Sequence, residues 1–303
     1  MALTVEEAIA RVPSWKDASD LNVTPLGGGI TNQNYRIDHG GQAYVLRIVG
    51  KNTDLLGIDR EHEYAANLAA GELGIAPQVH YFLRPEGCLV TRFVKGRPLP
   101  PPELKKAQNL SAIAAMLKKF HALPSIPGEF IVPRIVENYA RIARQHQVRF
   151  PNNFDWLLER LYEAEAAVAR DPAPYRPCHN DLLNENFLIE NGRIFILDWE
   201  YAGMGDLFFD LANLSVNHEF TDDEDRLLLE FYFGEVTEKR WAHLKVMRVF
   251  SDYRESMWGL VQIGISGLEF DFRGYADKHF NRLNTNLTDP RWSEWLSIIK
   301  SIK

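Results

Sequence analysis

Apolar and polar positions alternate through the first third of the chain and recur every three or four residues through most of the rest. VTPLGGGITNQNYRID (23–38) predicts a strand, a glycine-rich turn and a second strand. His39-Gly40-Gly41 then turns into AYVLRIV (43–49), a β-branched and aromatic run suited to a half-buried strand. Residues 58–72 change period to that of a helix, with Asp59 placed to cap it, and strands are predicted at 78–83 and 88–94. KGRPLPPPE (95–103) carries three consecutive prolines, which continue neither a helix nor a central strand. It divides an N-terminal lobe at 1–95 from a C-terminal lobe at 96–303, with a hinge at about 90–100. Helices are predicted at 104–123, 153–169, 223–234, 238–268 and 272–286. The exception is FLIE-NG-RIFIL (187–197), two short apolar runs around Asn-Gly, the signature of a tight β-hairpin set in the helical lobe.

The chain has 303 residues, 46% of them hydrophobic, ample for a large core. Its net charge is −7, without a basic run or a basic-aromatic alternation, so nucleic acid is not an expected partner and a cationic ligand suits it better. The N-terminus shows no signal-peptide pattern, and no apolar run approaches membrane-spanning length. Cys88 and Cys178 stand far apart in different lobes, so a disulfide is not expected and a reducing cytoplasm is.

The chemistry gathers around the hairpin, in CHNDLLNENFLIENGRIFILDWE (178–200). Cys178-His179 lack a second Cys/His pair at zinc-ligand spacing, and no G-x-S-x-G marks a hydrolase. Turn chemistry accounts for Asn191-Gly192 and would account for Asp181 taken alone. Phosphoryl transfer accounts for more. It needs a hydroxyl nucleophile held in place and phosphate charge neutralised by metal ions, and hard cations such as Mg²⁺ prefer carboxylate and amide oxygens. Asp181 and Asn186 lie five apart before the hairpin, and the hairpin returns Asp198 to the side of Asn186. D-x4-N, an apolar strand and D follow the order of a kinase catalytic loop and metal-binding aspartate. No D-F-G or A-P-E motif accompanies them, which argues against a protein kinase.

HNDLLNEN (179–186) and LDWEYAGMGDLFFDLANL (197–214) together resemble the choline/ethanolamine kinases, within the aminoglycoside-phosphotransferase-like superfamily. WGLVQIGISGLEFDFRGYA (258–276) resembles the choline kinase branch, and the similarity runs from Leu26 to about Phe280. The resemblance implies an α+β, protein-kinase-like bilobal fold: a small antiparallel-sheet lobe with one helix, a large mainly helical lobe, and ATP held between them. It implies that Asp181 is the catalytic base, that Asn186 and Asp198 hold Mg²⁺ with Glu200 in support, and that Asp210 braces the catalytic loop. Gly28, Gly29, Thr31 and Asn32 would cradle phosphates, where glycine lets backbone N–H groups approach. Arg47 would stand for the kinase strand lysine, paired with Glu61 or, as runner-up, Glu63. The backbone near Arg92 and Val94 would hold adenine, and His121 is expected to be structural.

The acceptor implied is an amino alcohol, choline first, held by aromatic faces and carboxylates. Trp258 falls where the family places a cage tryptophan, with Tyr253 and Glu255 one turn before it and Tyr201 as a further candidate. Where many choline kinases carry a glutamate this chain has Asn217, with Glu219 two residues on. Ethanolamine, thiamine or an aminoglycoside are alternative acceptors. A nucleotide-binding pseudokinase serving protein association is the alternative from another class.

Overall fold

A computed structural model describes residues 3–27, 32–50, 53–169 and 175–301. The chain divides into two compact units: residues 1–99 with 185–201, and residues 100–184 with 202–303.

The first unit opens with α1 (Val5–Arg11), capped by Thr4 and Glu7 in a reciprocal pair. Its sheet contains β1 (Asn22–Leu26), β2 (Asn32–His39), β3 (Gln42–Val49), β4 (Val79–Leu83) and β5 (Cys88–Arg92), antiparallel throughout in the order β1-β2-β3-β5-β4. Alternation in β3 turns Tyr44, Leu46 and Ile48 into a core shared with Ala8, Val12 and Trp15. Arg47 therefore points to the other face of the sheet. Between β3 and β4 lies α2 (Arg60–Glu72), where the Asp59 side chain accepts the N–H groups of Glu61 and His62 at 2.9 and 3.1 Å. β6 (Arg97–Pro98) closes this stretch.

The second unit starts with α3 (Pro101–Leu104), α4 (Ala107–His121), α5 (Val132–Gln145) and α6 (Phe154–Val168), followed by the short β7 (Arg176–Cys178). After a 3₁₀ turn at Asn184–Asn186 come β8 (Phe187–Glu190) and β9 (Arg193–Ile196), joined by Asn191 and Gly192 at φ of 50° and 80°. Both bend residues are left-handed, as a two-residue hairpin turn of this type requires. This hairpin belongs to the first unit, not to the helical one. β8 pairs with β6, the N–H of Leu99 donates to Phe187 O, and the N–H of Ile196 donates to Ile75 O. Those partners lie about a hundred residues away in sequence, beyond the reach of local pattern.

The helical unit resumes with β10 (Gly203–Gly205), which pairs with β7, then α7 (Leu207–Asn217), α8 (Asp222–Phe233), α9 (Glu238–Ile265), α10 (Phe272–Leu287) and α11 (Trp292–Lys300). α9 is its axis. Nearly every residue from Trp241 to Gln262 is buried, and α5, α7, α10 and α11 pack around it. A helix buried on all sides belongs to the centre of a large core.

Candidate active site

In the first unit the nucleotide-side candidates form one buried polar network. Arg47 on β3 meets Glu63 on α2 in a two-bonded ion pair, one bond 2.6 Å long. Arg60 also donates to Glu63 at 2.7 Å, and further to Glu200 and Asn32, each at 3.1 Å. Asn32 donates in turn to Glu200 at 3.1 Å. Burial, reinforced by the neighbouring Arg60, pushes the Arg47 guanidinium down to about 10. Glu63, and not Glu61, is the partner of Arg47. The two glutamates are about 200° apart around α2, so Glu61 faces solvent and pairs with Arg84 at 2.7 Å.

The hairpin supplies the acidic end of the same unit. Phe187 pairs with Ile196, and Leu197 donates its N–H to Asn186 O at 2.8 Å, which sets Asn186 beside the segment carrying Asp198. Asp198 adopts a left-handed backbone, φ 58°, an uncommon conformation for a residue with a side chain and one that collects at functional sites. Burial, with Glu200 nearby, pushes its carboxyl up to about 7, against the pull of Arg47 and Arg60. Its Oδ1 is shut off from solvent and has no hydrogen-bond partner among the described residues. An amide and two carboxylates flanking one short hairpin are the donor set a hard divalent cation takes. Asn186, Asp198 and Glu200 thus fit Mg²⁺.

In the second unit Asp181, 5% exposed, follows Asn180, whose φ of 67° is again left-handed. The loop is held from beneath by Asp210 on α7, whose two oxygens accept the N–H groups of His179 and Asn180 at 2.8 and 2.7 Å. Burial would raise the Asp210 carboxyl, yet His121 and the His179 contacts keep it below its ordinary value. As an ionised acceptor it accepts a hydrogen bond from His121 Nε2 at 2.9 Å, leaving His121 Nδ1 against the Tyr232 hydroxyl at 2.7 Å. His121 is structural, as its sequence context indicates. His121, Cys178 and Asp210 also place their polar atoms within 4.8 Å of one another. They form a brace and not a metal centre: the Asp210 oxygens are engaged, and burial, with Asp210 and Asp206 nearby, keeps the Cys178 thiol protonated.

Asp181 also meets a cation that sequence reasoning overlooked, Arg254 at 2.9 Å. Arg254 grips both oxygens of Glu255 at 2.9 Å, and Glu255 further accepts from Asn213 at 3.0 Å and the Tyr275 hydroxyl at 2.6 Å. Trp258 sets its ring edge-on to Tyr275 and Phe272, with centroids 5.5 and 5.8 Å apart. The available signals were the charged run D-Y-R-E inside a long apolar helix, and Tyr275 within FRGYA.

Tyr253 and Glu255 need correcting as substrate contacts. Tyr253 is fully buried and donates its hydroxyl to Leu157 O. It lies about 140° around α9 from Trp258, so it packs the core and does not share that face. Glu255 is a buried anchor for Arg254. Glu219 is exposed, with its charge answered by Lys278 at 2.8 Å, while Asn217 is half-buried at the end of α7 and Tyr201 is buried. Arg92 uses its main-chain N–H on Gln78 O and its side chain on Gln42, whereas Val94 lies just past β5. Gly28, Gly29 and Thr31 lie outside the described residues. Cys88 and Cys178 are both free thiols, and no described helix is long and apolar enough to cross a membrane.

The sequence profile of the phosphotransferase enzyme family matches residues 22–245. Protein LicA of Haemophilus influenzae is 28% identical over 255 residues, covering 78% of this chain and 72% of its own. A choline/ethanolamine kinase family protein from Mesorhizobium loti superposes with a TM-score of 0.82 at 28% identity, covering 96% of each chain. The choline kinase LicA from Streptococcus pneumoniae does so with a TM-score of 0.79 at 26% identity, over 93% of this chain and 97% of its own. A small antiparallel-sheet lobe, a larger helical lobe and a braced loop carrying Asp181 before a hairpin ending in Asp198 therefore have their family: the chain is a member of the phosphotransferase enzymes, similar to the choline and ethanolamine kinases.

Proposed function

We propose that the protein transfers the γ-phosphoryl group of ATP to the hydroxyl of a small amino alcohol, with choline as the preferred acceptor and Mg²⁺ as the metal. Asp181 carries the reading: a buried carboxylate on a loop whose main chain is pinned by Asp210. As the base it accepts the hydroxyl proton while the acceptor oxygen forms its bond to the γ-phosphorus and ADP leaves. Such a transfer depends on positioning and on neutralising charge more than on covalent chemistry. Asn186, Asp198 and Glu200 would hold Mg²⁺, which when bound neutralises phosphate charge. Arg47, fixed in direction by Glu63, would contribute a cation to the nucleotide phosphates.

Trp258, Phe272 and Tyr275 support the amino-alcohol half, because aromatic faces hold a quaternary ammonium by about 0.5–2 kcal/mol per ring. Glu255 adds no free charge to that group, being engaged with Arg254, Asn213 and Tyr275. A cage resting on rings more than on carboxylates favours choline over the primary amine of ethanolamine. The cytoplasm is the compartment where this reaction would find ATP.

The test is a product assay with ATP, Mg²⁺ and a panel of choline, ethanolamine, thiamine and an aminoglycoside. Phosphocholine should form with the highest kcat/KM of the panel, and a higher value for ethanolamine would reassign the acceptor. Asp181→Asn should lower kcat by about 10²–10⁴-fold, the range general-base catalysis supplies, with ATP still bound. ATP bound tightly without transfer to any acceptor would instead favour a pseudokinase.

A further inference from the structure

Arg254 sits in the middle of α9 and is 2% exposed. A buried guanidinium is costly unless its charge and hydrogen bonds are answered. Here two carboxylates answer the charge, both at Nη1: Asp181 Oδ1 at 2.9 Å as an ion pair, and both oxygens of Glu255 at 2.9 Å. Glu255 also reaches the loop by a second route. It accepts from Asn213 Nδ2 at 3.0 Å, and Asn213 Oδ1 accepts the N–H of Leu182, the residue after Asp181, at 2.6 Å. One anchor thus fixes the side chain of Asp181 through Arg254 and the adjoining main chain through Asn213. The Tyr275 hydroxyl, 2.6 Å from Glu255, ties the same anchor to the ring beside Trp258.

We infer that Arg254 is a positioning residue for Asp181, holding the carboxylate in the direction from which it accepts the substrate proton and linking it through Glu255 and Tyr275 to the aromatic group. The inference rests on Asp181 being the base. A carboxylate on a short side chain can swing about two torsions, and Arg254 Nη1, itself held by both oxygens of Glu255, draws it to one side. Arginine keeps its proton throughout, so it takes no part in proton transfer. Lysine would supply the charge from a stem of different length and a head of different shape. Misplacing a reacting group by about 1 Å costs on the order of 10²-fold in rate, which sets the size of the expected effect.

The experiment compares Arg254→Met, Arg254→Lys, Asp181→Asn and the double variant Asp181→Asn/Arg254→Met by initial rates against both substrates. Arg254→Met should lose about 10²-fold in kcat with the ATP KM within about twofold of wild type. Arg254→Lys should recover part of the loss, and millimolar methylguanidinium should restore Arg254→Met saturably without helping Asp181→Asn. In the Asp181→Asn background Arg254→Met should cost nothing further, because a residue acting through another is not additive with it. Wild-type kcat in Arg254→Met beside an inactive Asp181→Asn overturns the inference and leaves the base in place. Full activity in Asp181→Asn overturns the base itself. An equal further loss in both backgrounds overturns action through Asp181. Thermal unfolding controls for folding, and should Arg254→Met not fold, Glu255→Gln loosens the clamp at constant shape. That variant should then lower kcat at unchanged ATP KM, and an unchanged kcat overturns the inference.

Discussion

Glu63 has an unusual position among the residues of the first unit: one buried carboxylate lies between Arg47 and Arg60. Removing its charge leaves two guanidiniums in a buried place without the anion between them. Breaking one side of a buried pair costs about 3–5 kcal/mol, far more than the pair adds relative to an apolar replacement. Glu63→Gln should therefore lower the unfolding free energy in urea by that order and raise the ATP KM, since Arg47 loses its fixed direction. Glu61→Ala should leave the ATP KM unchanged, because its partner Arg84 is at the surface. Unequal effects of two glutamates two residues apart would confirm which one faces the sheet; equal effects would refute it. This choice was only half legible in the sequence. The pattern placed both glutamates on a helix behind the strand of Arg47, but choosing between them needs the rotation of that helix, which its packing on β4 and the Arg47–Glu63 pair set. Arg254 was only half legible for a related reason: the charged run D-Y-R-E marks its helix, but its role needs a carboxylate from a distant loop placed against it.

At the scale of elements, α7 shows why some helices escape a reading by period. LFFDLANLSVN is buried on almost every side, so its apolar positions show no stripe, although it carries both Asp210 and Asn213. The β8–β9 hairpin was plain from Asn191-Gly192, but its membership in the first unit depends on Ile75 and Leu99. α7 ends at His218, a buried residue whose Nδ1 lies 2.8 Å from Leu214 O. Burial pushes the imidazole down to about 4, partly opposed by the Leu214 carbonyl. The folded state thus holds His218 neutral, while the unfolded chain protonates it near its ordinary value of 6.5. Its contribution is fully present above pH 6.5 and is lost as the pH falls from there to about 4. A shift of this size corresponds to about 3 kcal/mol in all. In urea unfolding at pH 7 and pH 5, wild type should lose about 2 kcal/mol more than His218→Gln over that interval, since roughly two-thirds of the window is crossed. An identical loss in both proteins would show that His218 is not kept neutral by the fold.

At the scale of the molecule, the residues that the proposed reaction assigns to its two substrates fall in different units. Asn32, Arg47, Arg60, Glu63, Asn186, Asp198 and Glu200 all belong to the first, and Asp181, Arg254, Glu255, Trp258 and Tyr275 all belong to the second. Each set is tied together by contacts internal to its own unit. A substitution in one set should then disturb one substrate's binding and leave the other's nearly untouched. Arg47→Met removes a phosphate-side cation, and should raise the ATP KM about tenfold or more while the choline KM stays within about twofold. Trp258→Leu removes one ring of the aromatic group. At about 0.5–2 kcal/mol per ring, this should raise the choline KM by about 2- to 30-fold with the ATP KM unchanged. Because the two positions belong to different units, the double variant should combine the two effects to within about 0.5 kcal/mol. Steady-state kinetics with each substrate varied at saturating levels of the other decides the matter. If either single variant moves both KM values together, or the double variant departs from the sum, the two sets are energetically one site and the division of labour fails.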